Sequence, residues 1–425
     1  MITASIPNRL NSLVASLMMA ATVVAISPAA HAQTGCGGDI SGDGRTDAVD
    51  LAIVLTNWGV CTPASSIDGV YPSSGPVAGG TPIAIVGVDL DATASVTIDG
   101  VLCPKFNVVS PTVVTAVTPA GNVGPKALVL RNSQGQQIAS SSFIYAVTSL
   151  PWATVIQQEP DPAVVTNSAL RTAIAATGLP WRVRDNGTGI EMVLVPPGIF
   201  DMGCIQGSNS FGCYSWEQPV HAVTLTNAFY IGRYEVTQAQ WQAKMGSNPS
   251  YYRGQADSPS RPVEQVSWNT IQGFLTATGM QLPTEAQWEY ACRAGTTTPF
   301  HSGPGFPNGT TDDNLVSQIA WYYFNTCSGG DGCRTHAVGT KAANAFGLHD
   351  MLGNVWEWCG DWYGGYSSVA QTNPSGPATG TYRVLRGGAF SSFGSNQVRS
   401  SNRESFGTPD LSLSSIGFRV ARAPL

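Results

Sequence analysis

The sequence predicts a multi-domain α+β chain, and three observations predict it. The 425 residues are enough for two or three domains. Between residues 67 and 147, short alternating apolar runs recur with Gly and Pro between them, the pattern of a small β-sandwich. Beyond residue 186, short helix patterns with N-cap residues alternate with Trp-rich stretches of little periodicity, which is a mixed domain with little regular secondary structure. Only 11% of residues are charged, while Gly and Pro number 47 and 28. Aromatic and aliphatic residues remain plentiful, so this composition is loop-rich and ordered rather than disordered. The net charge of −6 is spread without a basic stripe, which argues against nucleic-acid binding.

Residues 1–32 read as a secretory signal peptide. Arg9 precedes a largely apolar run from Leu10 to Ile26, and Ala30-His31-Ala32 follows as a small-x-small cleavage site. The mature chain is then expected to begin near Gln33, outside the cytoplasm, and no later run is long enough to span a bilayer. Nine Cys in an exported chain read as a disulfide framework. Proximity suggests Cys36 with Cys61, Cys204 with Cys213, and Cys327 with Cys333. Cys292 and Cys359 could pair across the C-terminal domain, leaving Cys103 over; a buried free thiol is the other reading for each of these three.

Residues 39–50, DISGDGRTDAVD, follow the spacing of a calcium loop. Asp39, Ser41, Asp43, Asp47 and Asp50 stand at ligand positions 1, 3, 5, 9 and 12, Gly44 makes the sharp turn, and Arg45 offers its backbone carbonyl. Asp50 replaces the usual bidentate Glu, which shortens the reach. The following LAIVLTNWG has apolar residues at helical spacing and ends at Gly59 as a C-cap. An acidic turn without metal is the alternative. The unit 36–61 resembles one repeat of a type I dockerin, which implies calcium binding. Dockerins use two repeats to bind cohesins, so cohesin docking is not expected from one. Cys36 and Cys61 flank the unit and could clasp a segment too small to hold a core.

Residues 66–147 contain the strand-like runs TPIAIVG, ASVTIDG, TVVTAVTP, KALVLRN and SSFIYAV. The stretch IDGVYPSSGPVAGGTPIAIVG resembles the start of an IPT/TIG immunoglobulin-like domain, in which Gly75-Pro76 and Gly79-Gly80 would shape the first turns. It has no catalytic spacing of His, Asp, Glu or Cys, so a spacer or interaction module is expected. Residues 148–185 read as a linker, punctuated by Pro151, Pro160, Pro162 and Pro180, with a short helix over 168–177 ended by Gly178.

In the C-terminal domain, short helices are predicted over 236–245 and 266–276, with Thr237 a candidate N-cap. Thr284 and Gln287 have capping-box spacing and open another helix carrying Trp288 and Tyr290. The stretch 347–363, GLHDMLGNVWEWCGDWY, places Trp356 and Trp358 around Glu357 as on an extended segment, after a Gly353-Asn354 turn. A carboxylate between indoles is costly unless a cation or N–H groups pair it. The order MVLVPPGIFDMG, YEVTQAQW, RPVEQVSW, LPTEAQWEYACRAG, GLHDMLGNVWEWCGDWY, YRVLRGGAF and SIGFRVAR strongly resembles the sulfatase-modifying-factor family over residues 186–423. The resemblance implies a C-type-lectin-like fold, and the family's founding activity is formylglycine generation.

Active members of that family place a copper-binding Cys pair just after this RGG segment. Carried onto this chain, the pair falls at Ser392 and Gln397, and no Cys lies beyond Cys359. A hydroxyl and an amide cannot supply soft ligands for Cu(I) or form a disulfide with a substrate thiol, so copper is not expected. The iron-oxygenase branch needs a His-rich site; His221, His301, His336 and His349 show no HxxxH or HxxE pairing, and there is no GxSxG elbow. The family's calcium site maps to Asp350, Gly353, Val355 and Glu357, with backbone hydrogen bonds to Glu357 as the alternative. The family's substrate groove maps to Arg386, Ser391, Ser392, Arg399 and Arg403, though Arg386 could equally be a buried ion-pair partner of the core, and Arg419 reads as one. The expected function is an exported, calcium-stabilised module that binds a protein or glycan; the alternative is an oxidase converting a Cys of exported sulfatases to formylglycine.

Overall fold

The structure, a computed structural model, describes residues 64–205, 213–328 and 332–424. The signal segment, the calcium loop from Asp39 to Asp50 and the Cys36–Cys61 pairing lie outside the described residues. Residues 64–425 form one compact unit with two apolar cores.

The first core is a β-sandwich. One sheet runs in the order Ser66–Tyr71, Pro82–Val88, Val113–Val117, Lys105–Ser110; the other runs Ser74–Pro76, Gln137–Ala146, Gly124–Arg131, Ser95–Ile98, Val101–Leu102. The period-2 pattern decides which side chains go inside. Ile83 and Ile85 are buried while their neighbours Pro82 and Ala84 face outward, and Val96, Leu128, Leu130 and Phe143 meet them from the opposite sheet. Tyr145 fills the centre and donates its hydroxyl to the Pro119 carbonyl at 2.6 Å. Cys103 is a buried free thiol in this core, pushed up to about 11 by burial.

The segment read as a linker belongs to the C-terminal domain, a correction to the boundary at 186. Ala153–Gln157 and Arg182–Asp185 are two strands of a five-stranded sheet that continues through Glu191–Val195, Phe229–Gly232 and Ala421–Arg422. Val165, Ile174, Leu179 and Trp181 enter the larger core. Helix α1 (Ser168–Ala176) is capped by Asn167, whose side chain accepts from the N–H groups of Ala169 and Leu170.

Helices α2 (Gln238–Met245), α3 (Trp268–Thr278) and α4 (Glu285–Arg293) open at Thr237, Ser267 and Thr284. Thr237 with Gln240 and Thr284 with Gln287 both close reciprocal capping boxes. Strand Trp356–Trp362 lies inside a four-stranded sheet, between Arg383–Arg386 and Ile416–Gly417, with Arg403–Gly407 at the far edge. Disulfides join Cys204 to Cys213 and Cys327 to Cys333. Cys292 and Cys359 do not pair. The first is fixed on α4 and the second in the central strand, each sealed among apolar side chains. Burial pushes the Cys292 thiol up to about 12 and that of Cys359 well above its ordinary value.

Candidate functional site

The strand Trp356–Trp362 is buried on both faces over its first four residues. The turn before it has left-handed backbone at Gly353 (φ 83°) and Asn354 (φ 60°). A Cβ on Gly353 would meet the Trp321 carbonyl oxygen at 2.1 Å, so no other residue fits there. The indoles that line the strand spend their N–H groups locally: Trp358 donates to the Val266 carbonyl and Trp268 to that of Cys359, both at 3.0 Å. Arg383 lies between Trp268 and Trp362, 3.7 and 3.5 Å from their ring centroids.

Glu357 has a partner, and it is an arginine. Arg419 reaches both carboxylate oxygens at 2.6 Å, and Trp288 Nε1 donates to Oε2 at 2.7 Å. The charge that needed a partner is thus paired by a guanidinium and an indole N–H. Asp350 differs. Its Oδ2 accepts from the Gly339 N–H, while its Oδ1 is buried without a hydrogen-bond partner. Burial and the Glu357 charge push Asp350 up to about 6, against the pull of the Gly339 N–H and Arg419. Glu235 lies against the same cluster and accepts from Asn354 Nδ2 and the Val355 N–H. Burial, Asp350 and Glu357 push it well above the usual carboxylate range. Three buried carboxylates thus share Arg419. The unpartnered Asp350 Oδ1 is a hard oxygen donor of the kind a divalent cation takes.

The arginines assigned to a groove are internal struts. Arg386 pairs with Glu289 and donates to the carbonyls of Ser400, Ser401 and Asn402. Arg399 grips Glu217 at 2.8 and 2.9 Å, and Arg403 grips Glu285 with two bonds of 2.7 Å. All three are buried, because a guanidinium shielded from water needs a carboxylate and carbonyls around it. Burial raises Glu289, but Arg293 and Arg386 outweigh it and hold the carboxyl below its ordinary range. Only Ser391 of the groove set is exposed. Ser392 is buried and its Oγ accepts from the Ala389 N–H at 3.0 Å; Gln397 Oε1 accepts from the Phe393 N–H at 2.8 Å. Beside them, Phe393 (66% exposed) and Phe324 (52% exposed) cluster with Tyr323.

Arg403 also borders a cleft of about 360 Å³ whose other walls include His221, Glu285, Asp361, Trp362 and Tyr366. Burial and the Glu285 charge push Asp361 up to about 7. The four histidines are spent separately: His221 packs on Tyr366, His349 on Tyr234 and His336 on Trp321, while His301 is buried with Nδ1 against the Ser302 carbonyl. Among the described residues, the one group with metal-ligand geometry is Cys204, Cys213 and Glu217, and its two cysteines are joined in a disulfide.

The profile of the sulfatase-modifying factor enzyme 1-like domain matches residues 165–424, more than half of the chain. The chain belongs to that family. An IPT/TIG profile matches residues 65–145, on the β-sandwich. A formylglycine-generating enzyme of Thermomonospora curvata is 38% identical over 200 residues, covering 45% of this chain and 63% of that enzyme. One from Bos taurus is 30% identical over 290 residues, covering 54% and 74%. Among solved structures, PvdO from Pseudomonas aeruginosa is 27% identical and covers 57% of this chain and 97% of that one, with a TM-score of 0.46. The mixed α+β architecture of the sulfatase-modifying-factor domain is consistent with the lectin-like fold expected of it.

Sequence reasoning on this domain missed the acidic half of its internal network: Glu217, Glu235, Glu285 and Glu289. Glu285 and Glu289 lie four apart on α4 and pair with Arg403 and Arg386, Glu217 pairs with Arg399, and Glu235 accepts from Asn354 and Val355. The acidic pair at i, i+4 on the helix opened by Thr284 was the signal available in the sequence.

Proposed function

We propose that this chain is an exported protein whose sulfatase-modifying-factor domain works as a protein- or glycan-binding module rather than as a formylglycine generator. The observation that carries the reading is the state of the two positions where the family's copper pair falls. Ser392 and Gln397 supply no thiolate, and each side chain is spent on a backbone N–H of its own loop. The cysteines that remain free among the described residues are buried, with thiols held protonated. Two surfaces support binding. The Tyr323, Phe324 and Phe393 cluster suits an apolar side chain or a sugar face, and the cleft by Asp361 combines aromatic walls with hydrogen-bonding groups. The IPT/TIG sandwich, with Tyr71, Leu102 and Val109 exposed, suits a protein contact. Calcium is the expected ligand of the 39–50 loop and of Asp350.

The second reading, an oxidase that converts a Cys of exported sulfatases to formylglycine, has the names of the relatives in its favour. The full chain, incubated with copper, oxygen and a sulfatase-type Cys peptide, separates the two by mass spectrometry. No conversion, with glycan- or peptide-array binding that is lost in Phe393→Ala, is expected. Formylglycine above a no-protein control would overturn the binding reading. For calcium, the expected result is a melting temperature raised by added calcium in the wild type and raised less in Asp350→Asn; an equal rise in both removes Asp350 from the site.

A further inference from the structure

The Cys204–Cys213 disulfide stands in surroundings that a purely structural crosslink does not require. Arg399, itself fully buried, donates from Nη1 to Cys204 Sγ at 3.1 Å. The same guanidinium holds Glu217, whose carboxylate lies within 4.8 Å of both sulfurs. Cys204 is buried and Cys213 is partly exposed, which makes Cys213 the sulfur for an incoming thiol to meet. The Cys204 carbonyl lies 3.3 Å from Cys213 Sγ, an acceptor ready for a Cys213 thiol. Tyr214 packs beside Arg399, and Arg386 and Glu404 are the next charges around Glu217.

We propose that Cys204–Cys213 is an exchangeable redox site that oxidises a dithiol. One thiolate of the dithiol attacks Cys213 Sγ; the Cys204–Cys213 bond breaks, a mixed disulfide forms, and the electron pair leaves on Cys204 Sγ. Arg399 stabilises that leaving thiolate, which speeds departure because exchange is faster the weaker the leaving thiol is as a base. The second thiol of the dithiol then loses its proton and attacks its partner sulfur, expelling Cys213, which takes up a proton. The dithiol ends as a disulfide, two electrons poorer, and the cysteine pair ends reduced. Glu217 is the buried acid–base group placed to exchange the proton, with burial raising its carboxyl. This site is independent of the binding surfaces above.

The second disulfide is an internal control. Cys327 and Cys333 are both partly exposed, and the neighbours of the Cys327 sulfur are the Thr326 hydroxyl and the Phe390 carbonyl. Exposure alone predicts that Cys327–Cys333 is reduced first; the Arg399 contact predicts the reverse.

The test is a short exposure of the full native chain to dithiothreitol, followed by differential alkylation and mass spectrometry of each pair. Reduction of Cys204–Cys213 about tenfold faster than Cys327–Cys333 is expected, falling by about tenfold in Arg399→Gln/Glu217→Gln, where no buried charge is left alone. Equal rates for the two disulfides, or an unchanged rate in the variant, overturn the proposal. Should that variant lose its fold by circular dichroism, Cys213→Ala decides. The difference in thiolate absorbance between it and Cys204→Ala/Cys213→Ala should show Cys204 titrating below the free-thiol value of about 8.5. Titration at or above that value overturns the proposal as well.

Discussion

Glu357 shows how one buried charge organises its surroundings. Its two oxygens hold Arg419, and removing one member of such a pair leaves the other unpaired in a closed core. Arg419→Gln is therefore expected to lower stability by about 3–5 kcal/mol, read from urea unfolding, while Glu357→Gln/Arg419→Met loses much less. A loss in the single variant as small as that of an exposed pair would mean that water reaches the site. Asp361 gives a second prediction. Its carboxyl is raised to about 7 in the fold, by burial and by Glu285, so between its ordinary value and 7 the folded state binds the proton and the unfolded state does not. Stability linked to this group is thus present at low pH and lost as pH rises through 7. Asp361→Asn, which keeps an oxygen for the Glu285 N–H, should raise the melting temperature at pH 8 and leave it unchanged at pH 4. Identical shifts at both pH values would show that Asp361 does not carry the linkage. The sequence made the need for a partner at Glu357 legible, because a carboxylate flanked by indoles is costly wherever it lies. It did not make Arg419 legible as that partner, since 62 residues of chain separate them.

At the scale of the element, what is local was readable. Thr237 and Thr284 open their helices because a side-chain oxygen three residues before a donor satisfies an N–H that the helix leaves over. Thr284→Ala should cost about 1 kcal/mol. The cost should exceed that of Thr237→Ala, because α4 carries Glu285 and Glu289 to their arginines. Comparing Thr284→Ala with Thr237→Ala by chemical denaturation checks this, and equal losses would mean that α4 does not depend on its cap to place the carboxylates. The arginine-rich segment from 386 to 403 is less legible, for the opposite reason. Arg386, Arg399 and Arg403 lie in a polar, glycine-rich sequence that looks like a surface loop, and their burial depends on Glu217, Glu285 and Glu289 arriving from elsewhere in the chain. No spacing rule within the segment carries that information. The two strands at 153–157 and 182–185 are hard to read because five and four residues give too little alternation to distinguish a strand from an extended connector.

Those two strands change where the C-terminal domain begins as a folding unit. They occupy one edge of its five-stranded sheet, outside Glu191–Val195, and Trp181, Val165 and Ile174 travel with them into the main core. A truncation starting at residue 186 would strip the hydrogen-bonding partners from one side of Glu191–Val195 and turn a buried, apolar strand into a free edge. It would also open the core where Trp181 sat, a loss of the size expected for removing large buried side chains, about 3–5 kcal/mol for the Trp alone. That is comparable to a large share of the total stability of a domain of this size. A chain of residues 148–425 retains both strands, α1 and Leu150, and gives up only the partly buried Val123 and Val147 that pack on the larger core from the sandwich side. The expected outcome is a single cooperative thermal transition for 148–425 and an aggregating or non-cooperative product for 186–425, followed by circular dichroism and light scattering. If 186–425 melts cooperatively at the same temperature, the two strands are an appendage laid on a finished sheet, and the boundary read from the sequence at 186 stands.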